Sequence, residues 1–258
     1  MTRPAYGRLR AVTPYASVLL ARNPSPMTLE GTNTWLLRAP DSEACVVVDP
    51  GPDDPAHLDA VAAAGPVAQI LLTHGHSDHA AGAAALRERT RAPVRALDPA
   101  QRLGGEGLAE GDVVAAAAVE VRVLATPGHT SDSLCFAVAD AVLTGDTVLG
   151  RGTTVVAHPD GRLGNYLDSL RRLHELGPRT VLPGHGPELP DLAAVTAYYL
   201  RHREERLEQV RAALDTLGPD ASAADVVAVV YADVDRSLWP AAEWSVRAQL
   251  DYLRHSAR

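Results

Sequence analysis

The stretch His74-Gly75-His76-Ser77-Asp78-His79 constrains this chain more than any other feature, because it places four potential metal ligands within six residues. Histidines at i and i+2, with an aspartate and a third histidine directly after, cannot share one face of a helix that repeats about every 3.6 residues. A loop is therefore expected. The apolar run 67–72 before it reads as a buried strand, and the alanine-rich run from about 80 to 90 reads as a helix. The ligands should fan out at a strand-to-helix turn, where open α/β sheets place their chemistry.

Four more segments repeat the format of a short apolar run ending in a turn with a ligand-type side chain. They present Asp49, His129 (in Thr126-Pro127-Gly128-His129-Thr130), Asp146 (in Thr144-Gly145-Asp146-Thr147) and His185 (in Pro183-Gly184-His185-Gly186). Strands are expected at 17–20, 34–37, 44–48, about 93–96, 119–124, 134–138, 141–143 and 180–182, with Asp140 in a hairpin turn. Helices are expected at about 55–64 and 166–176. The segment 23–33 is too rich in breakers for regular structure and reads as a loop. Gly104 to Asp112 superficially suggests a phosphate loop, but it lacks the GK[ST] ending and no strand leads into it, so it reads as turns.

Composition excludes several classes. All 24 basic residues are arginine, which rules out Schiff-base or lysine-general-base chemistry. Cys45 and Cys135 lie in apolar runs and read as buried thiols, not as a disulfide framework. No window has the apolar length of a membrane span, and the first residues lack a secretory pattern, although Arg3, Arg8 and Arg10 fit an organellar address; a soluble, cytoplasmic protein is expected. A net charge of −8 disfavours general polyanion binding, local patches aside.

Imidazole and carboxylate are the donors of borderline divalent ions, so zinc is the default and iron or manganese suit the same set. In this pattern the chain resembles the metallo-β-lactamase-fold hydrolase superfamily, whose HxHxDH loop precedes a distal His, Asp and His; the match covers about 17–189. The resemblance implies an α/β (α+β) fold, a four-layer αββα sandwich holding two divalent metal ions at one sheet edge. It assigns His74, His76 and His129 to the first metal, Asp78, His79 and His185 to the second, and Asp146 between them. A metal-bridging hydroxide is the implied nucleophile, with Asp78 as a catalytic residue that orients it. An aspartate at 146, where true β-lactamases often carry cysteine, points away from antibiotic hydrolysis.

The segments 23–35, 145–150 and 166–170 and the tail 202–253 resemble a subgroup that ends in a small winged-helix-like domain. Its animal members are single-stranded endoribonucleases, and its fungal relatives are thioesterases that release acyl groups from carrier proteins. Two domains are expected: a catalytic domain at 1–189 and a helical, winged-helix-like domain at 190–258. From Asp191 onward the tail carries eleven acidic residues against eight arginines, so duplex DNA is not an expected partner; a substrate-site lid or a homodimer surface is. Arg201, Arg203, Arg206 and Arg211 alternate with glutamates, as on a self-paired helix surface.

The expected function is metal-dependent hydrolysis of a small-molecule or carrier-linked thioester or related acyl ester, with single-stranded RNA as the alternative substrate. A redox module with two irons is a third reading, disfavoured by the lack of a flavodoxin-like segment after Leu189. Asp49 has two readings of equal weight: a carboxylate that hydrogen-bonds a ligand imidazole and fixes its tautomer, or a turn-forming residue before Pro50. Thr32, Asn33, Arg151 and His158 are the expected substrate contacts, with loop-holding as the other reading of Thr32 and Asn33. His57, His174, His202 and His255 read as surface or packing residues.

Overall fold

The structure is a computed structural model that describes residues 5–256. Arg3, one of the three arginines of the organellar-address reading, lies outside the described residues. In chain order the elements are β1 (Arg10–Ala11), β2 (Ala16–Leu20), β3 (Asn33–Leu37), β4 (Cys45–Val48), α1 (Pro55–Ala63), β5 (Val67–Leu71), α2 (Ser77–Ala80), α3 (Ala83–Thr90) and β6 (Val94–Arg95). They continue with β7 (Val113–Ala116), β8 (Val119–Ala125), β9 (Leu134–Val138), β10 (Ala141–Gly145), α4 (Leu163–Glu175), β11 (Thr180–Pro183), α5 (Leu192–Leu217), α6 (Ala223–Val230) and α7 (Trp239–Ser256).

Two compact units result. The first runs to Ala125 and adds Asp132–Gly152 and Arg179–Pro190; it holds both sheets, ordered β1-β2-β3-β4-β5-β6 and β11-β10-β9-β8-β7. The two-residue period of a strand sorts its side chains between two cores. Trp35, Leu37, Val46, Val48 and Leu71 meet Val121, Val123, Phe136 and Leu143 between the sheets. Their neighbours Leu36, Cys45, Val47 and Ile70 face the other way, onto Leu58 and Val61 of α1 and Leu86 of α3. Because β4 is buried on both faces, it reads as the unbroken apolar run Cys45-Val46-Val47-Val48. Cys45 and Cys135 are buried thiols.

The second unit comprises Thr126–Ser131, Thr153–Pro178 and the chain from Asp191 onward. Asp191 caps α5 by accepting from the Ala194 amide, and Ser222 with Asp225 forms a capping box on α6. Val210, Val226, Val227, Val246 and Leu250 form its apolar centre. From Asp191 on, the described residues are helical and contain no strand.

Three expectations need correction. The ligand loop is only half a loop: the carbonyl of His76 accepts from the amides of His79 and Ala80, so Asp78 and His79 sit in the short helix α2. The helix expected at 80–90 is broken between α2 and α3. β1 and β7 were not expected, since β1 is a two-residue exposed edge and β7 is hidden in an alanine run. Among the described residues no helix is long and apolar enough to cross a membrane.

Candidate metal centre

In the first unit β4 and β5 run parallel in one sheet and β10 and β11 run parallel in the other. The chain leaving these four strands carries Asp49, then Thr73 and the histidine cluster, then Asp146, then His185. The sheets are tied together at this end. The Asn33 amide donates to the Gly184 carbonyl at 2.8 Å, Thr32 and His185 form a β-bridge, and the Trp35 indole donates to the Pro183 carbonyl at 3.0 Å. Buried hydrogen bonds of this kind leave the two ligand-bearing edges little freedom to separate.

Asp49 organises the histidines. Its Oδ1 accepts from the Thr73 amide at 2.8 Å, while its Oδ2 accepts from Thr73 Oγ1 at 2.6 Å and from His79 Nδ1 at 2.8 Å. Since the Thr73 hydroxyl gives its proton to Asp49, it can only accept at its 3.0 Å contact with His74, so His74 Nδ1 is the donor there. One carboxylate thus fixes two imidazoles, one directly and one through Thr73, and leaves the Nε2 of each as the lone-pair nitrogen. His185 is set the same way by donating Nδ1–H to the Gly31 carbonyl at 3.1 Å.

These lone pairs converge. His79 Nε2 and His185 Nε2 are 3.2 Å apart, and Asp146 Oδ1 is 3.4 Å from each. Asp78 Oδ2 is 3.1 Å from His185 Nε2 and 3.4 Å from His79 Nε2. Donor atoms of His74, His79 and Asp146, and those of Asp78, His79 and His185, lie within 4.8 Å of one another. With both Nδ1 protons directed outward, two imidazole lone pairs and two carboxylates face a common point, which is stable only with a cation or a proton between them. The donors therefore fit divalent metal.

Gly184 is required by the same crowding: a Cβ there would lie 2.7 Å from both Asp146 Oδ1 and His79 Cε1. Gly145, at φ +47°, would place its Cβ 2.7 Å from Thr73 Oγ1.

Burial opposes protonation of His185, yet Asp146 and Asp78 outweigh it and push the imidazole up to about 9. His79 is likewise buried and is raised well above its ordinary value by Asp146 and Asp49. Burial would raise Asp146, but the two imidazoles hold it well below the usual carboxylate range. Asp78 is also lowered, its burial outweighed by His185 and His79. In chelator-treated protein the raised His185 stabilises the fold fully below its ordinary 6.5, and this contribution is lost as pH rises through about 9.

A divalent metal ion must displace that proton. Its binding is expected to release protons and to tighten by up to about tenfold per pH unit for each proton displaced, over roughly pH 7 to 9. Calorimetric titration in buffers of differing ionisation enthalpy measures both effects, and a pH-independent affinity without proton release would contradict this arrangement.

His74 and His76 stand with ring centroids 4.7 Å apart in the same cluster. His129 belongs to the second unit, where its Nδ1–H donates to the Val155 carbonyl at 2.6 Å and its Nε2 keeps the lone pair. That loop is anchored by Arg203 of α5, which is 3 % exposed, donates to the neighbouring Thr154 carbonyl and lies over the Tyr166 ring at 5.1 Å. His158 sits half-buried in the same loop.

The expected substrate wall changes character. Thr32 is fully buried, with Oγ1 accepting from the Asn23 side chain, so it is removed from the substrate contacts. Asn33 donates both amide hydrogens, to the carbonyls of Pro183 and Gly186, and acts as a clamp. Arg151 is paired with Glu30 at 2.6 Å, an internal carboxylate. His57 is buried and bonded to Thr34 at 2.9 Å, which makes it a packing residue and not a surface one. Sequence reasoning assigned no role to Thr73; its signal was a hydroxyl residue directly before the first histidine.

The metallo-β-lactamase superfamily profile matches residues 27–185, and the profile of the β-lactamase-associated winged-helix domain matches 222–255. The chain is 32 % identical to the Beta-lactamase-like protein 2 homolog of Drosophila melanogaster over 93 % of this chain and 88 % of that one. A β-lactamase domain protein from Burkholderia ambifaria superposes with a TM-score of 0.82 at 25 % identity, covering 99 % of this chain and 90 % of its own. A third protein, solved in a di-iron-bound form, is 28 % identical with a TM-score of 0.56 over 72 % of this chain and 98 % of its own. A donor cluster at the parallel-strand ends of two facing sheets, agreement with the superfamily profile over most of the chain and a relative spanning nearly all of it establish that the chain belongs to the metallo-β-lactamase superfamily of metal-dependent hydrolases and carries that family's associated winged-helix domain.

Proposed function

We propose that this protein is a binuclear hydrolase of thioesters or related acyl esters. The observation that carries the reading is the donor set itself: imidazoles and carboxylates converging around Asp146, with both cysteines buried in the cores. The proposed ligands are those of the family pattern, His74, His76 and His129 for one cation, Asp78, His79 and His185 for the other, and Asp146 for both. Zinc is the proposed metal, and iron is the second reading because a relative is solved in a di-iron form. Bound cations supply water activation, with a pKa drawn from about 16 towards about 7, and polarise the acyl oxygen.

The side chains do the rest. Asp78 is the most open carboxylate of the cluster, its side chain 27 % exposed, and its lowered pKa keeps it ionised at neutral pH. It accepts a hydrogen bond from the attacking water and orients it. His79 and His185 are 0 % and 1 % exposed and exclude solvent from the inner side of the site. Asp49 holds the His79 proton at Nδ1 throughout.

The tail bears on the choice of acyl substrate over RNA. Of its arginine cluster, Arg203 is buried and Arg206 lies over the Tyr231 ring at 4.7 Å, so neither extends a phosphate track. The division into a catalytic domain at 1–189 and an accessory domain at 190–258, a carrier-linked or small acyl partner in place of duplex DNA or membrane, a homodimer and a cytoplasmic location belong to the same proposal. Zinc-loaded protein assayed on an acyl-thioester panel beside labelled single-stranded RNA is expected to clear a thioester efficiently and to leave the RNA intact. Cleavage of the RNA with the thioesters untouched would overturn the substrate assignment.

A further inference from the structure

Beside Gly186 and Pro187 the first unit holds a cavity of about 470 Å³ that none of the candidate metal ligands lines. Small-molecule sites measure roughly 300–1,000 Å³. Val18 and Leu20 give it an apolar lining, and Gly186, the residue after His185, borders it. Its remaining walls bring Arg8, Arg10 and Arg151 together with one carboxylate, Glu30. With Glu188 paired to Arg10, three arginines meet two carboxylates and leave a local excess of one positive charge in a chain of net charge −8, and a concave wall concentrates its field.

Two of the guanidinium groups are pre-oriented. Arg151 grips Glu30 through bonds of 2.8 and 2.6 Å, and Arg10 grips Glu188 through two bonds of 2.8 Å. Both arginine side chains remain more than half exposed, at 51 % and 53 %, so their outer edges stay available to a ligand. Arg8 is exposed and forms no ion pair with a carboxylate among the described residues. An anion with several oxygens suits this arrangement, because guanidinium groups bind phosphate through paired, charge-assisted hydrogen bonds. No aromatic ring lines the cavity among the described residues, which removes the stacking platform that single-stranded nucleic acid needs.

We propose that this cavity binds the phosphate-bearing part of a small carrier thiol of the coenzyme A type, leaving its acyl thioester at the metal centre. The inference rests on the thioester reading above. It assigns the three arginines to recognition of the carrier and leaves the acyl group to other walls of the site.

The test uses full-length protein and two readouts. Unacylated coenzyme A, titrated calorimetrically, is expected to bind wild-type protein and to lose about tenfold or more in affinity in both Arg8→Glu and Arg151→Gln, with circular dichroism unchanged. The ratio of kcat/KM for an acyl-coenzyme A to that for the same acyl group on N-acetylcysteamine should fall by a similar factor. Equal coenzyme A affinity in wild type and both variants overturns the proposal, as does arginine-dependent binding of an oligoribonucleotide tighter than that of coenzyme A. If wild-type protein hydrolyses no thioester yet binds coenzyme A in an Arg8-dependent way, the cavity stands and the thioesterase reading falls.

Discussion

Asp146→Ala is expected to abolish measurable turnover, a loss on the order of a thousandfold or more, and to lower bound metal. The carboxylate is the group that the rest of the cluster shares. Its Oδ1 lies 3.4 Å from the Nε2 of both His79 and His185, and it falls within the same donor group as His74. Removing it deletes one ligand and also the main negative charge that holds His79 and His185 in their raised state, so both should titrate lower in the metal-free variant. Metal analysis by plasma mass spectrometry and the thioester assay read the outcome together. Full activity at unchanged metal content would sink the binuclear reading.

Asp49→Asn is expected to weaken metal binding by about 10–100-fold although the residue lies outside the donor cluster. All three of its partners are donors: the Thr73 amide, the Thr73 hydroxyl and His79 Nδ1. An asparagine keeps the shape and tolerates the left-handed backbone at φ 53°, but in either orientation its NH₂ group faces a donor. The remedy available to His79 is to move its proton to Nε2, which removes the lone pair that faces the site. Asp49→Ala carries a further cost, because a left-handed backbone disfavours alanine and the buried donors lose their acceptor; about 3–5 kcal/mol of stability should go with it. Imidazole ¹⁵N shifts distinguish the tautomers, and a wild-type tautomer pattern with wild-type metal affinity in Asp49→Asn would show that this carboxylate does not set the ligands.

The central and buried strands were legible because burial on both faces forces apolar runs, and β3, β4, β9 and β10 fall where such runs lie. β1 and β7 were not, because an edge strand needs no apolar signature and Val113-Val114-Ala115-Ala116 reads equally as helix. The split of the ligand motif was hidden for a similar reason: four residues, Ser77 to Ala80, form one helical turn on the carbonyl of His76, too short to show a period. Thr32 and Asn33 looked like substrate contacts because a loop residue with a polar side chain has the same sequence whether it faces a ligand or its own chain. Here the partners are Asn23 and the carbonyls of Pro183 and Gly186.

The sequence by itself determined the chemistry of the site. Ligand identity is a property of the side chain, and the turns that present ligands are written locally in glycine, proline and the ends of apolar runs. Only the tertiary structure decided how those ligands are held. The bonds that set the tautomers join residues 24, 30 and 154 positions apart, through Asp49 to Thr73, Asp49 to His79 and Gly31 to His185. No local pattern encodes such distances, because they arise when parallel strands from separate parts of the chain pair in register and two sheets close over one core. The same closure determined that Asp49 serves two imidazoles, that Thr32 is buried, and that Arg8, Arg10 and Arg151 line one cavity with Gly186.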